Sequence, residues 1–487
     1  MSVFKNGLFL SLAKFSEKII SFLIVVIASR YYGAEGIGEF FYYFSLVSLF
    51  IPLMDLGFEK LMMHEWYDTS KSEKEKLLGR LFLTKCIVGG PALILVLFTD
   101  YLVRWGDANP KAVLASFLAI YMMEFAELVR RPAFADGSIY LDVIAPLLAR
   151  VITLILLFKY VDDIHHGYQI AYLYAAANII AFLISLLGLN RYRSINIKGT
   201  RIAHIRDFLI KGFPFSLTSL FVMISLFIDS VILGHYSFEE VGEYSAAYRV
   251  ILVVAALSGG TSQALFPMVV EKFSNKQENK AMKLLSSVFR VHIIFFGTLS
   301  IGGFILGNEI MTGLYGNAFR SAGLPFQILA LLIVLFSMTN LLGQTLEAMK
   351  LQKKVMKVTC IAAIFNLVTN LILIPFWGMI GAALTTIITE ILILVLQLKI
   401  IKSLPYTFTL TQQLKRAYIF ITLAGLCFLP LPLLNGFLSQ YLLNNLLSLI
   451  ISIGFGGLIV SSLLIKFKHY WLEGLIQGNS NAYIDGK

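Results

Sequence analysis

Six basic side chains stand singly or in pairs inside long apolar runs: Lys14, Lys18, Lys85, Arg150, Arg249 and Arg290. The carboxylates in the same setting include Glu17, Asp55, Glu124, Asp229 and Glu390. A charge in hydrocarbon costs roughly 2.5–3.5 kcal/mol on insertion scales, so each is expected to face a wet cavity or a partner. The chemistry such cations offer is binding and not bond-making, because guanidinium and ammonium groups gather phosphate or carboxylate oxygens. At 1.5 Å rise per residue, Arg150 lies about 15 Å into its run, near mid-depth. Arg249 lies about 12 Å from the end of its run, and Lys85 and Arg290 about 10 Å from theirs. Lys14 and Lys18 are four residues apart and share one helix face. The six cations are therefore the candidate lining of a positively charged cavity. The five carboxylates are candidate gate groups, or groups that couple transport to a proton or sodium ion.

Each charge also has a structural alternative. Lys14, Glu17 and Lys18 are close enough to neutralise one another, and Lys85 and Arg290 are shallow enough to snorkel. Arg150 is too deep for that, and Asp142, eight residues away, is a poor helical match. Glu243, six residues from Arg249, is equally poor. Glu124, Glu127, Arg130 and Arg131 fall at i,i+3 and i,i+4 spacings and read as a self-contained cluster. Asp55 and Asp229, near run ends, read as caps or as cross-helix pairs at a gate. Tyr31, Tyr32, Tyr42, Tyr43, Tyr244 and Tyr248 read as an interfacial aromatic belt. Pro146, Gly297, Gly302 and Gly303 offer bends or close packing. His165-His166 beside Asp162-Asp163 reads as a solvated turn, so no metal site is expected. No phosphate-binding glycine loop, Walker lysine or catalytic triad pattern is present, so no catalytic residue and no bound cofactor are expected.

The elements that position these residues follow from composition. Of 487 residues, 58% are hydrophobic and 14% charged. Soluble domains run near a quarter charged, which excludes a water-soluble fold. Three cysteines, Cys86, Cys360 and Cys427, all in apolar runs, exclude a disulfide framework. Fourteen runs are long enough to span a bilayer as helices: 8–29, 37–58, 78–99, 112–135, 140–158, 167–189, 209–234, 241–268, 284–308, 322–349, 354–375, 377–400, 415–434 and 441–465. Lys14, Glu17 and Lys18 break the first run, which argues against a cleavable signal peptide.

The net charge of +11 is a matter of topology and not of nucleic acid. With the N-terminus inside, 29 basic residues fall on the cytoplasmic side and five on the outer side. That asymmetry, sustained over fourteen spans, places both termini in the cytoplasm. Every outward loop is short, which counts against a membrane glycosyltransferase or polymerase with an external catalytic domain.

The basic stretch 191–211 divides the chain into an N-terminal lobe (1–190, helices one to six) and a C-terminal lobe (212–401, helices seven to twelve). Helices thirteen and fourteen (402–466) and a cytoplasmic tail (467–487) follow. The lobes share a motif: Glu35-Gly-Ile-Gly38-Glu39-Phe40 and Glu239-Glu-Val-Gly242-Glu243-Tyr244, offset by 204 residues. Six helices is an even number, so the repeat is parallel about an axis along the membrane normal. The expected fold is an all-α membrane protein of two pseudo-symmetric six-helix bundles plus two C-terminal helices.

Tyr31-Tyr-Gly-Ala-Glu-Gly-Ile-Gly38, followed by an apolar run to Asp55-Leu-Gly57, resembles the second-helix signature of the polysaccharide (Wzx-type) flippases. These belong to the multidrug/oligosaccharidyl-lipid/polysaccharide superfamily. Gly212-Phe-Pro214, Asp229-Ser-Val-Ile-Leu-Gly234 and Val241-Gly-Glu-Tyr244 agree. So does the series Asn366, Asn370, Pro375, Gly378, Gly381 and Glu390. The resemblance implies a V-shaped pair of bundles. It implies the turning-over, by alternating access, of an undecaprenyl-pyrophosphate-linked oligosaccharide from the cytoplasmic to the outer leaflet of a bacterial plasma (inner) membrane. That work would serve a surface polysaccharide such as O-antigen or capsule, with membrane lipids around the protein and a polymerase and chain-length regulator as pathway partners. Relatives of the same superfamily, a cation-coupled drug antiporter and a peptidoglycan-precursor flippase, are the alternatives. The antiporter fits less well, since its cationic cargo wants an acidic cavity.

Overall fold

Backbone N–H and C=O groups in hydrocarbon must pair within their own segment, which leaves helices as the form for these runs. The computed structural model describes residues 2–57, 66, 70–135, 140–190, 196–197, 202–406, 420–441 and 445–466, and among them there are helices and turns but no strand. The helices in chain order are α1 (Ser2–Ser48), α2 (Ile51–Asp55), α3 (Lys71–Arg104), α4 (Pro110–Ala135) and α5 (Tyr140–Tyr160). Then come α6 (Ile170–Asn190), α7 (Ile202–Tyr236), α8 (Phe238–Ser274), α9 (Glu278–Ile305) and α10 (Gly307–Tyr315). The last are α11 (Gly323–Ala330), α12 (Leu332–Ala348), α13 (Gln352–Lys402), α14 (Leu431–Tyr441) and α15 (Asn445–Lys466).

Among the described residues, eleven helical stretches are long and apolar enough to cross a bilayer. Two of them are too long to do so once. As straight rods α1 and α13 would reach about 70 and 77 Å, against a hydrocarbon core of about 30 Å. Each is broken at a single glycine, Gly33 (φ 68°) in α1 and Gly378 (φ 52°) in α13. Gly33 pairs that φ with a ψ of −173°, a backbone region essentially closed to side-chain-bearing residues. Counting each broken rod as two spans, and adding the 22-residue α15, gives the fourteen expected from the sequence.

The second span departs from expectation. It does not run unbroken over 37–58, because α1 stops at Ser48 and α2 restarts at Ile51. Pro52 is the cause: it has no N–H to give the Ser48 carbonyl, and its ring crowds that carbonyl. α2 then closes on Leu56 and Gly57, both at positive φ.

The described chain forms two compact units, residues 1–245 with 370–378, and residues 246–369 with 379–487. In the first, α5 and α6 meet along a seam of small residues, Ala145 and Ala149 against Ala177 and Ala181. Small side chains let helix backbones approach closely in a membrane protein. A second cluster, with Leu77, Leu78 and Leu81 of α3 and Leu128 and Val129 of α4, packs around the fully buried Trp66. In the other unit, Met282, Leu285 and Phe289 of α9 pack with Leu341, Leu342 and Leu346 of α12 and with Phe420 and Phe428. Gly302 and Gly303 serve that packing and not a bend: α9 is unbroken, and a Cβ on them would lie 3.2 Å from Phe428 and 3.1 Å from Ala330.

The repeat motif is visible as a physical contact inside the first unit. A Cβ on Gly38 would overlap the Phe238 carbonyl and the Gly242 amide, and one on Gly242 would overlap the Ala34 carbonyl and the Gly38 amide. The motif glycines of the two repeats therefore touch backbone to backbone. The equivalence extends further. Gly167, between the fifth and sixth spans, sits on the Gly36 carbonyl, and Gly378, between the eleventh and twelfth, sits on the Glu240 carboxylate. Glu240 is the repeat equivalent of Gly36, at the same 204-residue offset.

Gly38→Ala should lower stability by roughly 1–3 kcal/mol, since packed backbone has no room to yield. Gly90→Ala, where a Cβ meets open space, should be neutral or stabilising by up to about 1 kcal/mol. Thermal unfolding of the purified protein in detergent separates the two, and equal midpoints would mean the glycine contact is not tight.

Candidate functional site

The α5–α6 seam sets Arg150, next to Ala149, at the edge of a cavity of ≈ 170 Å³ in the first unit. α1 contributes Lys14 and Glu17 to its lining, α4 contributes Glu127, Arg130 and Arg131, and α5 contributes Asp142 and Arg150. Asn178 of α6 adds an amide to the rim, and this amide donates to the Ala119 carbonyl at 2.8 Å. Four cations thus meet three carboxylates in one void, so the site is polar, crowded and net positive.

Arg150 keeps an unused buried donor, and so do Arg130 and Arg131 at Nε. Arg150 Nε lies 3.5 Å from Glu17 Oε1, its guanidinium lies 5.3 Å over the Tyr174 ring, and Nη2 meets Met123 Sδ at 3.7 Å. Its Nη1 is buried with no hydrogen-bond partner. A planar fork with a spare buried donor is suited to a second, bidentate oxyanion. Arg130 Nε stands 3.7 Å from Asp142 Oδ1, Arg131 Nη1 stands 3.9 Å from Asp142 Oδ2, and Arg131 also pairs with Glu127 one turn back. Both Asp142 contacts are long, so one carboxylate is shared between two guanidinium groups without closing on either.

The other sequence candidates divide among distinct settings. Lys14 is exposed on the cavity wall, and neither it nor Lys18 has an ion pair among the described residues; Lys18 does not line the cavity. Glu17 therefore serves Arg150 and does not neutralise the lysines beside it. Lys85 does not snorkel. It is 1% exposed, with Nζ 3.4 Å from Asp55 Oδ1, 3.3 Å from Glu124 Oε2 and 3.1 Å from the Glu124 carbonyl. A buried ammonium held by two carboxylates and a carbonyl is a finished structural site. It also dissolves the expected self-contained cluster on α4, because Glu124 turns to α3 while Arg130 and Arg131 turn to α5.

Asp229 is buried and accepts from the Tyr244 hydroxyl and from the Ser230 amide at 2.8 Å. Glu390 is buried in the second unit and accepts from the Thr339 hydroxyl. Arg290 (buried) and Arg249 (half-buried) also belong to the second unit.

The tyrosines correct a further expectation. Tyr42, Tyr43 and Tyr244 are not belt residues but are at most 1% exposed; Tyr31, at 59%, is the outlying one. A buried phenol needs a partner for its O–H. Tyr42 donates to Asp100 Oδ1 at 3.1 Å, and the other Asp100 oxygen accepts from the Asn109 amide at 3.1 Å. Arg104, four residues on, donates to the Gly234 carbonyl at 2.9 Å and stacks 4.3 Å over Phe238. Sequence reasoning missed this network, and it missed Arg130, Arg131 and Asp142 as cavity residues. The available signal was a tandem arginine ending one span opposite a carboxylate in the first turn of the next.

Comparison with known proteins follows the same lines. The family model described as polysaccharide biosynthesis protein matches residues 3–273, more than half of the chain, and the MatE family model matches residues 214–372. A Haloferax volcanii protein described as "probable low-salt glycan biosynthesis flippase Agl15" is 25% identical over 242 residues, 49% of this chain and 50% of its own length. The chain thus spans about half the length of that relative. Capsular polysaccharide biosynthesis protein CapF of Staphylococcus aureus is 21% identical over 400 residues, 80% of this chain and 97% of that protein. The solved lipid II flippase MurJ, in an inward closed conformation, matches with a TM-score of 0.75 at 18% identity, over 96% of this chain and 100% of that one. At that identity the likeness is one of fold.

Removing the Lys85 ammonium leaves the buried Glu124 and the half-buried Asp55 without their counter-charge. Lys85→Ala should therefore cost about 3–5 kcal/mol, seen as a lower unfolding midpoint in detergent. Lys18→Ala should leave the midpoint unchanged.

Proposed function

We propose a function from one premise: the chain belongs to the polysaccharide biosynthesis protein family. It is a flippase that carries a lipid-linked oligosaccharide across the bilayer, its pyrophosphate neutralised in the cavity of Lys14, Arg130, Arg131 and Arg150 while the lipid tail stays in the membrane. The observation that carries this reading is the buried, partnerless Nη1 of Arg150 on a net-positive void. A pyrophosphate joining lipid to sugar brings about two negative charges and four non-bridging acceptor oxygens, which two or three arginine forks can hold. Its arrival competes with Glu17 for Arg150 and with Asp142 for Arg130 and Arg131. A carboxylate so displaced is a natural acceptor for a coupling proton, and Glu17 is the group assigned that task.

The carrier of this head group is an undecaprenyl lipid, and the sugars feed a surface polysaccharide made by a polymerase and a chain-length regulator of the same pathway. Tilting of the two six-helix repeats, residues 1–190 and 212–401, alternately opens the route to each leaflet. The protein sits in a bacterial plasma membrane with both termini in the cytoplasm. The support for that orientation is the 29-to-5 split of basic residues between alternating sides.

Arg150→Ala and Arg130→Ala should each abolish display of the surface glycan at normal protein level, with the lipid-linked intermediate trapped on the cytoplasmic face. Lys18→Ala should retain display, and Arg249→Ala reports whether the second unit also meets the cargo. The readout is the intermediate's accessibility to an enzyme added outside intact spheroplasts. Wild-type accessibility in both Arg150→Ala and Arg130→Ala would remove this cavity from the mechanism.

A further inference from the structure

The second unit contains a hydrogen-bonded relay that the cavity chemistry does not use. His292 of α9 is 2% exposed. Its Nδ1 lies 3.1 Å from the Ser337 carbonyl of α12, and its Nε2 lies 2.9 Å from the Thr261 hydroxyl of α8. The Thr261 oxygen is in turn 2.9 Å from the Ser258 carbonyl one turn back.

These three contacts cannot all be made by a neutral ring. A carbonyl only accepts, so Nδ1 must carry a hydrogen. Neutral imidazole then has a bare Nε2, which needs the single hydroxyl hydrogen of Thr261, and the Ser258 carbonyl goes without it. When Nε2 binds a proton from solvent it becomes the donor to Thr261 Oγ1. The Thr261 hydrogen is then released to Ser258, and every contact is satisfied. One added proton therefore moves one hydroxyl hydrogen from the ring to the helix backbone, and no covalent bond to carbon changes.

The segment that receives this hydrogen is soft. Residues 258–263 read Ser-Gly-Gly-Thr-Ser-Gln in the middle of an otherwise apolar helix. The Ser258 carbonyl also accepts from the Ser262 hydroxyl at 2.9 Å, and the Ser258 hydroxyl bonds the Ala255 carbonyl at 2.7 Å. Such side-chain bonds to backbone carbonyls loosen and bend helices. Gly259 and Gly260 have nothing within 4 Å of a would-be Cβ, so no described neighbour packs against the helix there. Thr261 is exposed while the ring behind it is buried, which gives the proton a way in.

No charged side chain is paired with the ring among the described residues, and the ring meets Phe296 edge-on at 5.3 Å. On its own helix the nearest charge in sequence is Arg290. On α8 the nearest are Glu271 and Lys272, ten and eleven residues past Thr261. On α12 Glu347 is ten residues past Ser337, and the α12 hydroxyl of Thr339 is held by Glu390 of α13. α11 and residues 420–441 carry no charge.

We propose that His292, Thr261 and Ser258 form a proton-binding site whose occupancy sets the conformation of α8 at Gly259-Gly260. The site is independent of the cargo, and its test uses none. The full chain in lipid nanodiscs, with Cys86, Cys360 and Cys427 replaced by Ser, carries an environment-sensitive fluorophore at Gln263→Cys, an exposed position. Its emission should titrate as one proton between about pH 5 and 8, the window of an imidazole. The titration should be lost in His292→Gln and in Thr261→Val, and kept in Thr261→Ser, which restores the hydroxyl. A flat response in the parent protein, or a titration that survives in either His292→Gln or Thr261→Val, overturns the proposal. Retention of glycan display in Arg150→Ala and Arg130→Ala, with this titration intact, would count against the cavity alone.

Discussion

An ionised group inside hydrocarbon must find a partner or water, and that constraint orders the whole arrangement of polar residues in this chain. Lys85 shows the constraint met in full: two carboxylates and a carbonyl surround it, and nothing is left over for a ligand. Arg150 shows it met in part, with one long carboxylate contact, a tyrosine face and a spare buried donor. Lys85 and Arg150 thus differ in the count of their unused donors. Both residues lie within spans, and position along the helix alone ranked them only by their ability to reach the surface.

The same distinction explains what could be read in advance. Isolated charges in apolar runs are rare, so the residues that form the cavity wall and the buried pairs stand out from the sequence. Their partners do not. Glu124 lies 39 residues from Lys85, and Glu17 belongs to another helix than Arg150; no helical periodicity links such positions. Spacing rules favoured local pairs on α4, and one of these, Glu127 with Arg131, is present. Packing against α3 and α5 drew Glu124, Arg130 and Arg131 outwards to other helices. The tyrosines were misplaced for a related reason: an interfacial belt and a buried hydrogen-bonded phenol have the same composition, and only the partner, Asp100 or Asp229, separates them.

Span number was legible because hydrocarbon thickness fixes helix length, and the two overlong rods had to break somewhere. The first break was legible, since Gly33 falls in the gap between runs 8–29 and 37–58, and the second, at Gly378, lies two residues past the gap read at 376. The repeat was legible from six residues, and its meaning is spatial: the glycine that recurs in the motif is the one that touches its own equivalent.

That last contact carries a constraint of a different kind. Two equivalent residues that meet across a pseudo-two-fold axis form an isologous contact within one chain, as identical subunits do in a dimer. Neither copy can accommodate enlargement of the other, so Gly38 and Gly242 are bound to the same size limit although most residues around them differ between the halves. Divergence between the halves must therefore proceed around this point and never through it.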